Sequence, residues 1–279
     1  DGKVSDAIQS LVYPYWHPSG DYVAFSTNQT KQMFHMKDKN RIEVFDMSSD
    51  VLVYDVKNHR VVTDSLLFSK QAFETFPSFS PDGKTLYFSS SVAQKMPIDY
   101  KKVKYNICSI SFDAETGRFG TQVDTLFSVE QTGKTGTFPR VSPDGKFLAF
   151  TEADYGNFTI WHKEADLCLI DLKTKEIKSL DALNSLEAES YHAWSSNGRW
   201  LVFASRRDDG LYSRPYIAYI DEEGTPHKAF VVPQASPDAY LDGLKSYNVP
   251  EFITGPVNLQ RKAVVEMAKH GQAKKVTAQ

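Results

Sequence analysis

Three arginines stand within nine residues in the stretch "SRRDDGLYSRPY": Arg206, Arg207 and Arg214, with Tyr212 between them. Guanidinium groups clustered this way can bind carboxylates through paired hydrogen bonds, and the tyrosine adds flat amphipathic surface. Upstream, "YGNFTIWHKEADL" carries His162 and Glu164, and "EAESYHAWSS" carries His192. An imidazole can act as a general base, and imidazole with carboxylate can ligate a metal. Nothing in the spacing of His162, Glu164 and His192 requires a metal, and none is expected. Other chemistries are excluded by motif. The chain has no Gly-x-Ser-x-Gly elbow, no His-Glu-x-x-His, no Walker loop and no dinucleotide fingerprint. Cys108 and Cys168 stand in the apolar runs "NICSISF" and "DLCLIDL", which suits buried, inert thiols. No cofactor is expected.

Whether those side chains meet depends on the elements that carry them. A repeat organises most of the chain: "YPYWHPSGDYVAFS", "FPSFSPDGKTLYFSS", "FPRVSPDGKFLAFT" and "YHAWSSNGRWLVFA". Aligned on Gly20, Gly83, Gly145 and Gly198, each copy has a phenylalanine five positions on: Phe25, Phe88, Phe150 and Phe203. An aliphatic residue (Val23, Leu86, Leu148, Leu201) precedes each phenylalanine by two, which puts the pair on one face of a strand. Seven positions before the glycine stands an aromatic: Tyr13, Phe76, Phe138 or Tyr191. Pro-Asp-Gly is a turn with a mechanism: proline presets φ, aspartate bonds the turn backbone and glycine tolerates φ > 0. A second hairpin follows in each unit, its first strand ending at Asp55, Asp113, Asp171 or Asp221. Two hairpins per unit predict a four-stranded antiparallel sheet, and radial repetition of such sheets predicts an all-β propeller. The blades are expected near 13–67, 76–127, 138–181 and 191–232, inside a propeller region spanning 1–255. Residues 256–279 form a tail, helix-prone from about Leu259 to His270.

The Pro-Asp-Gly blade repeat resembles that of TolB-like propellers. Copies two and three match closely; the first has His17-Pro18-Ser19-Gly20 and the fourth Ser195-Ser196-Asn197-Gly198. Propellers of that family usually have more blades, so the four recognisable units are expected to be part of a longer chain and larger ring; degenerate strands in 1–12 and 235–255, or a small four-bladed ring, are the alternatives. The resemblance implies a non-catalytic binding or scaffold role in the bacterial envelope, with an export signal not in this chain. The competing expectation is a propeller-type lyase or hydrolase acting on an acidic saccharide.

Topology then sorts the functional candidates. If Pro-Asp-Gly turns occupy one face, the segments 27–50, 91–105, 151–165 and 205–215 and the blade connections emerge on the other. Function concentrates on loops held by a rigid scaffold. His162, Glu164, His192, Arg206, Arg207, Tyr212 and Arg214 are therefore expected to gather there beside a central channel. His192 also breaks its own repeat, standing where the other copies have Pro14, Pro77 and Pro139. The expected partner is a protein or an anionic ligand. A net charge of -3 offers no field for nucleic acid, and no apolar run is long enough for a membrane span.

Overall fold

The computed structural model describes residues 11–33, 43–236, 238–271 and 277–278. Residues 1–10, within the expected propeller region, and 34–42, 237, 272–276 and 279 lie outside them. Four antiparallel four-stranded sheets, each in simple sequential order, are arranged as a β-propeller. The first blade comprises β1 (Leu11–Trp16), β2 (Tyr22–Met33), β3 (Glu43–Asp55) and β4 (Arg60–Val62). The second comprises β5 (Ala72–Phe79), β6 (Thr85–Val92), β7 (Asn106–Asp113) and β8 (Arg118–Phe127). The third is β9 (Thr135–Val141), β10 (Phe147–Ala153), β11 (Asp166–Asp171) and β12 (Ile177–Ser179). The fourth is β13 (Glu189–Trp194), β14 (Trp200–Ser205), β15 (Arg214–Tyr219) and β16 (Phe230–Val231). A short strand, β17 (Thr277–Ala278), adds parallel to β4.

Blades pack face to face through the alternate residues the pattern predicted. Phe88 lies between blades one and two with Ala24, Val53 and Cys108. Phe150 lies between two and three, and Phe203 between three and four. Phe25 is equally buried but clusters with Leu52, Val61 and Tyr54 of its own blade. Both cysteines are buried free thiols, and burial pushes the Cys108 thiol up to about 11.

The repeated turns meet side by side on one face. His17 Nε2 lies 3.0 Å from the Gly83 carbonyl, joining the first two turns, while Gly198 sits against Pro143 and Asp144. The segment 27–50, expected to be a loop, is instead mostly strand: β2 and β3 continue past the blade as a two-stranded arm. A helix (Arg261–His270) follows the propeller with none of its residues buried.

Candidate functional site

The four aromatics seven positions before each glycine explain the centre of the molecule. Tyr13, Phe76, Phe138 and Tyr191 all have left-handed backbone, with φ between 52 and 56°. Each stands where the first strand of its blade slips register against the second. The bulge turns the ring inward, where an ordinary pleat would point it along the sheet normal. The rings meet on the axis: Phe76 and Phe138 stack at 3.8 Å, Tyr13 lies 4.4 Å from Phe76, and Tyr191 lies 4.6 Å from Phe138. Where an open channel was expected, the propeller has an aromatic plug.

Polar groups lie on the loop side of the plug. The Thr159 hydroxyl meets Ser190 at 2.9 Å, and Ser26 and Asn28 reach Thr75. Asp46, buried on the arm of blade one, accepts 2.6 Å bonds from Asn28 and Thr30 and a third from Asn157 of blade three. Burial raises the Asp46 carboxyl above its ordinary range, and those hydrogen bonds pull it back. A second bond spans the same gap: Tyr155 donates to Glu43 Oε1 at 2.6 Å. The arm thus crosses the loop face and is tied to blade three by side chains more than a hundred residues away.

Under the arm lies a narrow cleft, formed by blades one, two and three, with room for about one water molecule. Its walls are aromatic. Phe45 stacks on Tyr100 at 5.7 Å, Tyr100 meets Tyr155 edge-on at 5.9 Å, and Tyr155 lies 4.5 Å from the His162 ring. Its acids are Glu43 and Asp46. Lys101 Nζ sits 5.7 Å from the centre of the Tyr100 ring and 5.4 Å from that of Tyr155.

The residues that the sequence grouped sit in different surroundings. His162 lines the cleft, and Glu164 stands 3.7 Å from its Nδ1. Burial lowers the His162 pKa, with Glu164 opposing the shift, so the ring is neutral near pH 7. His192 lies inside the propeller, its ring against the backbone of Phe138 and Ala149. Burial, helped by Arg140, pushes its pKa down to about 3. The arginines are engaged within the chain. Arg206 lies 4.6 Å over the Trp161 ring and donates to the Leu211 carbonyl at 2.8 Å. Arg207 pairs with buried Glu189 at 3.1 Å and covers the Tyr216 ring. Arg214 is clamped between Asp208 at 2.9 Å and Asp209 at 2.8 Å. Tyr212 is half-buried beside them, its backbone amide bonded to Asp209. Among the described residues, no three His, Cys, Asp or Glu side chains converge as a metal site would require.

Sequence reasoning missed Glu43, Phe45, Asp46, Tyr100, Tyr155 and Asn157. The only local signal was that their segments interrupt the repeat. Exposed large apolar residues also collect in the loops and blade connections: Leu66, Phe68, Val92, Ile98, Leu186 and Leu211.

Comparison with known proteins adds the fold's relatives. No family model and no curated protein matches the sequence. Among solved structures, TolB from Acinetobacter baumannii is similar at 19% identity and TM-score 0.47, over 82% of this chain and 44% of that one. A putative TolB from Agrobacterium tumefaciens is similar at 15% identity and TM-score 0.47, over 79% of each chain. An oligogalacturonate lyase in complex with manganese is similar at 14% identity and TM-score 0.49, over 80% of this chain and 54% of that one. This chain therefore spans less than half of the Acinetobacter protein. The likeness at these identities is one of fold. The sheets and their repeated turns define a β-propeller.

Proposed function

We propose that this propeller is a non-catalytic binding module of the bacterial envelope, located in the periplasm, that holds a protein partner on its loop face. The observation that carries this reading is a set of exposed apolar residues in the loop-face segments; others stand at Trp16 beside a turn and along 244–267. Leu66, Phe68, Val92, Ile98, Leu186 and Leu211 all belong to the loops and connections of one face, and each is at least 40% exposed. Exposed apolar side chains grouped on a surface mark interaction sites. The plug supports the same reading, since it fills the axis where a small substrate would otherwise enter.

The competing reading is a lyase or hydrolase acting on an acidic saccharide. It needs Arg206, Arg207 and Arg214 to release their internal partners and His192 to reach substrate from the interior. An assay with acidic oligosaccharides addresses it: turnover that disappears in His192→Ala would replace the binding reading. The direct test of binding is site-specific photocrosslinking in cells. A crosslinker at Leu186 or Leu211 should capture a partner, and one at Lys84 or Glu115, on the turn face, should not. Capture from the turn face alone, or from neither face, would sink the proposal.

A further inference from the structure

We infer that a groove at the loop-side end of blade two receives an extended acidic segment of a protein partner, with an apolar side chain seated at Val92 and carboxylates on Lys102 and Lys104. The inference rests on the binding reading above and deepens it by naming what the partner presents.

The groove follows from how the strands end. β6 and β7 pair as far as Ser90 and Asn106, while β6 runs two residues further, paired to β5 alone, with Val92 opposite Ala72. The chain then passes through a short helical turn, Tyr100–Lys102, before it returns to β7. Among these diverging ends and the end of β8 lies a groove of about 580 Å³, whereas the cleft under the arm has room for about one water. That volume falls within the roughly 300–1,000 Å³ of ordinary ligand pockets. Three strand ends about 4.8 Å apart span about 10 Å, the length of three extended residues.

Charge selects the occupant. Residues 94–104 carry Lys95, Lys101, Lys102 and Lys104 against Asp99 alone, in a chain whose net charge is -3. Lys102 and Lys104 line the groove, and Glu130 is the one acid among its described lining residues. The Lys102 side chain is 70% exposed and pairs with Asp99 at 3.0 Å, and Lys104 donates to the Gly133 carbonyl. An ammonium has three donors, so each lysine keeps donors for an incoming carboxylate. Exposed ion pairs add little affinity singly but select the sign of a partner. The apolar contribution comes from Val92, 71% exposed, with half-buried Leu126 and Val129 in the same lining. An acidic saccharide offers carboxylates without a side chain for Val92, which favours a peptide segment.

The test uses a blocked Gly-Glu-Bpa-Asp-Gly peptide, in which Bpa is photoreactive benzoylphenylalanine, and an analogue with lysines in place of both acids. Each is irradiated with the purified chain, and the label is mapped by mass spectrometry. The acidic peptide should label residues 91–94 or 124–131 at least tenfold more than its analogue does. Lys102→Glu with Lys104→Glu should cut that labelling at least tenfold, and circular dichroism checks the fold. Lys102→Gln with Lys104→Gln serves as the milder variant and should lose less. Lys173→Glu with Lys175→Glu, on the turn face, should leave labelling unchanged. Label outside the groove, equal labelling by both peptides, or labelling that survives both Lys102 and Lys104 variants overturns the inference. Displacement by an acidic oligosaccharide at lower concentration than by unlabelled Gly-Glu-Leu-Asp-Gly replaces the protein segment with a saccharide. The two readings fail separately. Partner capture from Leu186 or Leu211 with an unlabelled groove removes only the groove, whereas a labelled groove without loop-face capture removes the protein partner.

Discussion

On the turn face, Ser80, Ser142 and Ser195 each donate a 2.6 Å bond to the side chain two residues on: Asp82, Asp144 and Asn197. The same serine oxygens accept the backbone N–H of Thr85, Phe147 and Trp200 at 2.9–3.0 Å. Blade one reproduces the device with other chemistry, His17 Nδ1 meeting the Ser19 hydroxyl at 2.8 Å. On the loop face each segment follows its own pattern: an arm tied across the axis, an aromatic turn at Tyr100, a stacked Arg206, a clamped Arg214. The turns are bonded within a few residues and repeat. His17 adds a bond from one turn to the next, at Gly83; the loops share no pattern, some closing locally like Arg214 and the arm reaching a distant blade. Local closure makes the turn face a scaffold and leaves the loop face free to vary, which is where a rigid fold carries recognition.

If the repeat carries stability, its core should show the largest effect. Phe150→Ala is expected to cost about 3–5 kcal/mol in denaturant unfolding, because it empties a fully buried aromatic site between blades two and three. A loss under ~1 kcal/mol would break the assignment of stability to the blade interfaces.

A sharper contrast sits at one repeat position, nine before the glycine. Glu189 in blade four accepts from Ser185, Ser205 and Arg207, so both of its oxygens face donors. Glu74 in blade two accepts only from Ser90, and its buried Oε2 has no partner. Burial, with Asp50 nearby, pushes Glu74 up to about 8. Its folded pKa thus lies above the unfolded value, so its contribution to stability is full below about 4.5 and declines as pH rises to about 8. Glu74→Gln should therefore stabilise the protein at pH 8 by about 1–3 kcal/mol, the range for relieving an unsatisfied buried group, and much less at pH 5. Glu189→Gln should destabilise, since an amide NH₂ would face donors. Thermal melts at both pH values check the pair; equal effects of the two variants would erase the distinction.

Smaller differences are expected among the turn glycines. At Gly83, with φ of +73°, a Cβ would lie 2.2 Å from His17 Nε2; at Gly145, also at +73°, it would meet nothing within 4 Å. Gly83→Ala should cost about 1–2 kcal/mol and exceed Gly145→Ala, both measured by chemical unfolding. The smallest stability effect belongs to the loop face. Leu186→Ser with Leu211→Ser should change stability by no more than ~0.5 kcal/mol while abolishing capture of a partner by a crosslinker placed at Ile98. Retained capture at full yield would remove these leucines from the contact surface.

What the sequence determined by itself was periodic and local. Pro-Asp-Gly gave the turns, the aliphatic-x-phenylalanine spacing gave the buried strand faces, and four copies gave the propeller. Phe25, Phe88, Phe150 and Phe203 are buried as that spacing requires. The position of His162 and Glu164 on a loop opposite the turns was legible too, as a matter of topology. Tertiary structure alone decided the rest. The inward swing of Tyr13, Phe76, Phe138 and Tyr191 depends on a bulge that the residue pattern marks without naming. The engagement of the arginines depends on which acids the fold places beside them: Glu189 for Arg207, Asp208 and Asp209 for Arg214. The cleft depends on Asp46 meeting Asn157 and Glu43 meeting Tyr155 across the axis. Such contacts join segments more than a hundred residues apart, and no spacing within either segment records its partner.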